Sequence, residues 1–426
     1  MMRARPATLI LSLTLGLVVS GCQTASSAGP PPSDAGSPPA SASGGSSQPD
    51  IASVPPRYRQ LYATLSGNIG NLADQQGAGS VDPVEVPGGP IMAGELGAAA
   101  GNRGPALLEP SALAQVSEEL DGFARIAMKG VVVLVSYPML LPSFPDSASY
   151  LQFYEQVARL VATHGMALSI ELNPAFSDPG LSSLHPDYQG LTLNSYATGQ
   201  HEEAQIVIDD LHPRYLTILD EPSTFATTLH QPAIATAAGA VQVLGQELTG
   251  LNREGTLVGA GVGTWEDPTI EQAIATQSAV DYLSVHVYPT ATSQVADLDQ
   301  VTTIAASARK PLLIDETWLS KENPSGAPPK GSAVAEQKLK NWSFWEPLDA
   351  RYLEAISAYA REHGISMVSP FSTELFFGYV DWTQALEGAP GSQVRGDAAQ
   401  LQQENLAAGV LGPLGRAYQA TITSER

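Results

Sequence analysis

The sequence predicts an eight-unit βα barrel, and three observations carry that prediction. Past residue 90, short runs rich in Val, Ile and Leu alternate with longer stretches of helical period, the pattern of a parallel sheet covered by helices. Eight such runs occur, at 91–96, 130–136, 167–172, 215–219, 257–262, 282–286, 311–315 and 366–371, and eight units close a barrel, whereas an open doubly wound sheet usually has fewer. No GxGxxG or P-loop turn follows any run, which disfavours nucleotide chemistry.

Taken in order, residues 1–21 read as a secretory signal: Arg3 and Arg5 give positive charge, residues 9–19 an apolar stretch too short for an ordinary membrane span, and Ser20-Gly21-Cys22 a small-residue end. Val19-Ser20-Gly21-Cys22 resembles the lipobox of bacterial lipoproteins. That resemblance implies that Cys22 becomes the lipidated N-terminus, that the lipid bilayer is a partner, and, with Gln23 following, that the protein is exported to the cell envelope at the outer membrane or cell surface. Residues 22–50 hold almost no large apolar side chain beyond this point and read as a flexible Ser/Gly/Pro tether. Residues 51–426 suit one barrel domain, with 51–90 as a helix and loop packed under it. Helices are expected at 111–128, 150–164, 232–248, 269–278 and 349–363, with a closing helix at 400–418. His164-Gly165 and His363-Gly364 put glycine where a helix stops before the next strand. A linker-like insertion at 321–331, followed by Trp342 and Trp345, is expected over the mouth after the seventh strand.

Composition narrows the partner. With 43 acidic against 21 basic residues the formal net charge is -22, which repels nucleic acid and anionic membrane faces and suits a neutral ligand. The chain has 1 cysteine, so it has no disulfide framework, no cysteine nucleophile beyond the lipidation position and no thiolate metal site. No cofactor or metal is expected, because only His286 among the 7 histidines ends a strand, whereas a metal-dependent barrel hydrolase needs several ligands converging on one ion. A monomer is expected.

The chemistry-bearing residues are Glu221 and Glu316. Each sits just past an apolar run, in Tyr215-Leu-Thr-Ile-Leu-Asp-Glu-Pro222 and Pro311-Leu-Leu-Ile-Asp-Glu-Thr-Trp318. In a βα barrel the carboxyl ends of the strands converge on one mouth, so two carboxylates distant in sequence can flank one bond there. Singly, such an acid is more often a helix N-cap or a solvated loop residue; the coincidence on strands four and seven argues otherwise. The sixth strand adds Ser284-Val-His-Val-Tyr-Pro289, whose His286 and Tyr288 fall on one side by alternation.

The strand-four Glu-Pro, the strand-six His-x-Tyr-Pro and the strand-seven Glu together resemble the clan A retaining glycoside hydrolases. That resemblance implies a carbohydrate substrate, Glu221 as general acid/base, Glu316 as nucleophile, Tyr288 orienting Glu316, and His286 lining the same wall. It also places Asp220 where the family typically carries an asparagine that contacts the sugar. The arginine often found near the second strand's end has no counterpart in Ser136-Tyr137-Pro138, and the eighth strand ends in Ser369-Pro-Phe-Ser-Thr-Glu374, where a tryptophan is common. Among the aromatic residues in mouth-facing segments (Trp318, Tyr137, Trp265, Trp342, Trp345 and Trp382), Trp318 and Tyr137 are the candidates for stacking on sugar rings. Glu171, Asn173 and Glu374 are candidate hydroxyl-binding residues. The rival reading is a noncatalytic carbohydrate-binding lipoprotein that retains the barrel.

Overall fold

A computed structural model describes residues 51–74, 89–176, 182–321 and 341–424. The signal, Cys22, the tether and all of the expected insertion except Lys321 lie outside the described residues. Eight parallel strands form one sheet: β1 (Ile91–Met92), β2 (Gly130–Tyr137), β3 (Ala167–Pro174), β4 (Tyr215–Thr217), β5 (Leu257–Gly263), β6 (Tyr282–Val287), β7 (Leu312–Thr317) and β8 (Met367–Pro370). Their order is β1-β8-β7-β6-β5-β4-β3-β2. The sheet curls until its edges meet. The Leu96 amide donates to the Val132 carbonyl at 2.9 Å and the Val132 amide to Gly94 at 3.0 Å, with Glu95 bridging Val132 in parallel register. The result is a closed (β/α)8 TIM barrel.

Around it lie α1 (Arg59–Asp74), α2 (Ala112–Ile126), α3 (Ser147–Thr163), α4 (Leu193–Leu211), α5 (Pro222–Thr228), α6 (Ala237–Leu248), α7 (Pro268–Ala275), α8 (Thr292–Ala308), α9 (Glu346–Glu362), α10 (Gln384–Gly388), α11 (Gly391–Ala407) and α12 (Pro413–Thr423). Both predicted glycine stops are present. Gly165 and Gly364 have φ of +65° and +62°. Behind them the Met166 amide reaches back to Val161 and the Ile365 amide to Ala360, which satisfies the last carbonyls of α3 and α9.

Two expectations are corrected. The closing helix is split into α11 and α12, because Gly409 turns at φ +70° and Pro413, which lacks an amide proton, starts a new helix instead of continuing the old one. Helix α1 lies not under the barrel but beside it, on α8 and α9: Tyr62 stacks on Trp345 at 5.7 Å, and Asn68 donates to the Pro289 carbonyl in the loop after β6. Trp342 and Trp345 are fully buried. Among the described residues no helix is long and apolar enough to cross a membrane.

The lumen sets up the site above it. Ala93, Val132, Tyr215, Tyr282, Leu313 and Met367 form an apolar plug separate from the main core. Two residues further along the same strands come Glu95, Leu134, Thr217, Ser284, Asp315 and Ser369, almost all polar. Strand periodicity puts both sets on the inward face. Carboxyl groups therefore sit on a dry floor.

Candidate active site

Glu221 follows β4 directly and occupies the N-cap position of α5, with Pro222 as the first helical residue. Its side chain does not cap the helix; it accepts from His286 Nδ1 at 2.9 Å instead. The solvated N-cap reading of this acid is thereby excluded. Glu316 lies within β7, where the register against β6 runs Ser284↔Leu313 and then His286↔Glu316, so β7 carries one extra residue. Neighbouring strand residues ordinarily face opposite ways, but a bulge re-aims one of them. Asp315 and Glu316 consequently both point into the lumen. Asp315 accepts from Thr217 Oγ1 at 2.9 Å, and Glu316 accepts a short hydrogen bond from the Tyr288 hydroxyl.

His286 stands between the two acids, with Nδ1 at 2.9 Å from Glu221 Oε1 and 3.8 Å from Glu316 Oε1. Those distances laid end to end, 2.9 plus 3.8, bound the oxygen separation at about 6.7 Å, which admits the roughly 5–5.5 Å of a retaining pair and lies well short of about 9 Å. The other ring nitrogen faces Glu171, Asp220 and Asp315 at 3.7, 3.9 and 3.7 Å, distances of charge contact and not of hydrogen bonds.

Burial dominates the electrostatics. It raises Glu316 to about 7, with the His286 charge opposing and that of Glu221 adding, and it raises Asp220 to about 8. Glu171 and Glu95 are pushed well above the ordinary carboxylate range, by burial first. Burial alone would lower His286, but Glu316, Asp220, Glu171 and Glu221 outweigh it and hold the imidazole well above its usual value. Burial, with the Glu316 charge behind it, also raises Tyr288, so its hydroxyl stays protonated and donates.

Of the sequence-predicted residues, the structure brings together Glu221, Glu316, His286, Tyr288, Asp220 and Glu171. Asn173 joins Asp220, Glu221, His286 and Glu316 around a cavity of about 10 Å³, closed on its apolar side by Phe176 and Phe225. Glu374 lines a neighbouring cavity of about 90 Å³ with Glu95, Arg103, Glu119, Phe371 and Phe377. Tyr137 and Trp318 go elsewhere. Tyr137 is buried against Tyr196 and Tyr188 beside α4, because Ser136 takes the inward position on β2. Trp318 packs edge-on against Phe376 with the Lys321 ammonium over its ring.

Two acids at the site were not singled out in the sequence. Glu95 lies three residues past β1, inside the first predicted run and not beyond it, and feels the charge of Glu316 and Glu171. Asp315 was hidden beside Glu316, because strict alternation allows only one of two neighbouring residues to face the lumen.

No family model matches the chain, and no curated protein matches it by sequence. Solved structures do. The GH5_18 protein of Bifidobacterium longum subsp. longum is 14% identical, with 79% of this chain and 80% of that one covered at a TM-score of 0.51. A variant of that protein in complex with Manβ1-4GlcNAc is 13% identical at the same TM-score, covering 79% and 78%. A GH5_18 from Bifidobacterium longum subsp. infantis gives 13%, 79% of each chain and 0.51. At such identity the likeness is one of fold.

Proposed function

We propose that this protein is a retaining O-glycosidase acting on a poly- or oligosaccharide. The observation that carries this reading is the pairing of Glu221 and Glu316 about His286 at the mouth of the barrel, at a separation of at most about 6.7 Å. A Glu316 carboxylate oxygen attacks the anomeric carbon as the glycosidic C–O bond breaks, and Glu221 gives its proton to the departing oxygen. Water then attacks the same carbon, Glu221 takes the water's proton, and the bond to Glu316 breaks. Two displacements at one centre leave its configuration retained. Tyr288 holds the Glu316 oxygen in line, and His286 fixes Glu221.

The test is hydrolysis of a panel of activated β-glycosides, with mannosides included because a structural neighbour was captured with Manβ1-4GlcNAc. Turnover lost in both Glu221→Ala and Glu316→Gly on natural glycosides supports the reading. A wild-type chain that binds glycans but cuts none favours the noncatalytic alternative.

We further propose that the chain is exported and anchored through acylated Cys22, with the barrel held off the membrane by the tether. The signal layout and Cys22 as the single cysteine support this.

A further inference from the structure

The proposed chemistry leaves unused the cavity of about 90 Å³ beside the catalytic floor. Glu95 belongs to both places, since it stands in the inward-facing ring with Asp315 and also lines the cavity. Phe371, two residues past Ser369, forms another wall, with its ring edge-on to that of Tyr288 at 6.2 Å. The cavity therefore opens off the catalytic floor.

Sheet order decides which half of a substrate it serves. β8 adjoins β7, which carries Glu316, and lies four strands from β4, which leads into Glu221. In the proposed reaction Glu316 bonds to the sugar that stays behind, while Glu221 protonates the chain that leaves. A cavity on the Glu316 side receives the former.

Its lining suits a sugar. Arg103 gives Nη1 to the Ala98 carbonyl and Nη2 to Gln115, which leaves its buried Nε with no hydrogen-bond partner among the described residues. Burial holds Glu119 at about 7 and Glu95 well above the ordinary carboxylate range, so the walls offer donors as well as acceptors, as hydroxyls require. Phe371 and Phe377 add apolar surface for the C–H face of a ring.

The size is that of one residue. About 90 Å³ seats roughly six to nine waters, whereas one pyranose with its hydroxyls displaces about six and a disaccharide about twelve. Behind it the wall of α2 and α11 is locked. Gly122 in α2 has no room for a side chain, since an added Cβ would lie 2.5 Å from Phe377 and 2.7 Å from Leu406 of α11. Gln402 and Asn405 of α11 donate to the Gly378 and Phe377 carbonyls at 3.0 and 2.7 Å.

We infer that this cavity seats the single sugar at the non-reducing end of the substrate, so that the enzyme works from the chain end and removes one residue at a time. The inference rests on the glycosidase reading for its reaction but not for its binding site. Each turnover releases one monosaccharide carrying the hydroxyl of water and leaves a chain one residue shorter, ended by the proton from Glu221.

Two measurements on the full-length protein test this. Calorimetry with the methyl β-pyranosides of mannose, glucose and galactose should show binding of at least one, weakened about tenfold or more by Ala399→Trp, which puts an indole into the cavity from α11. The wild type, given β-linked tetrasaccharides of the same sugars labelled at the reducing end, should yield a labelled trisaccharide first by mass spectrometry, and a 4,6-O-benzylidene group on the terminal sugar should stop cleavage. This second readout stands if the variant fails to fold. No methyl glycoside bound, binding undiminished in a folded Ala399→Trp, a shorter labelled first product, or cleavage of blocked chains overturns the inference. Binding that needs the cavity in a protein that cuts no glycan keeps the sugar seat and sinks the glycosidase reading, so the two fail separately.

Discussion

Glu316 and Glu221 differ in what holds them, and the difference predicts how each variant fails. Glu316→Gly should lower turnover by about three orders of magnitude or more and regain it with azide on an activated substrate, now with inverted product, since the small anion fills the space of the lost carboxylate. Glu221→Ala should spare the first step on substrates whose leaving group needs no proton, while natural glycosides fail. Tyr288→Phe removes one hydrogen bond to a charged group, worth about 1.5–3 kcal/mol, and should cost roughly 10- to 150-fold, measured as kcat/KM. Because burial sets Glu316 at about 7 and the reacting form is the anion, kcat/KM should fall as pH drops through about 7. A profile flat from pH 5 to 8 would mean that the Glu316 carboxyl is not raised above the ordinary carboxylate range. Most of these residues were legible from sequence because an acid or a His-x-Tyr pair just past an apolar run marks a strand end. Tyr137 was less so: β2 continues through it to its last residue, and alternation turns it away from the lumen.

At the scale of elements, the site depends on how β5, β6 and β7 fit together. Gly259 on β5 gives room to the Tyr282 ring, which an added Cβ would approach at 2.2 Å. Gly259→Ala should therefore destabilise the protein by about 1–3 kcal/mol. Gly67, in α1, has open space around it, and Gly67→Ala should stabilise by about 0.5–1 kcal/mol. Calorimetry on the two variants checks both; equal effects would mean that β5 is not packed as described. The eight strands were readable from their apolar runs, since a strand buried on both faces leaves a short continuous one. The β7 bulge was not readable. It arises from strand pairing, and without it Glu316, one residue past the inward-facing Asp315, would face the helices. The break between α11 and α12 had a local signal in Gly409 and Pro413, which the continuing helical period masked.

Across the whole molecule, the buried acids tie stability to pH. Glu95, Glu171, Asp220, Asp315 and Glu316 all have raised values, so the folded chain holds protons that the unfolded chain releases from about pH 4 upward. Stability rises with pH only where the unfolded state binds more protons; here the folded state binds more. The melting temperature should be highest near pH 5 and fall by several degrees towards pH 8, less steeply in Asp220→Asn, whose wild-type carboxyl titrates at about 8. A melting temperature that climbs from pH 5 to 8 would mean that these carboxyls are ionised and partnered. For the anchor, Cys22→Ser should abolish fatty-acid labelling and leave the protein soluble or unprocessed; retained label would rule out acylation at that residue. The central claim, that Glu316 forms a covalent bond to sugar during turnover, is tested most directly by trapping. The protein is incubated with a panel of activated 2-deoxy-2-fluoro glycosides, and peptide mass spectrometry locates the label. The predicted result is one sugar per chain on Glu316, with no label in Glu316→Gly; hydrolysis of the parent glycosides without any trapped sugar, or a label on another residue, contradicts it.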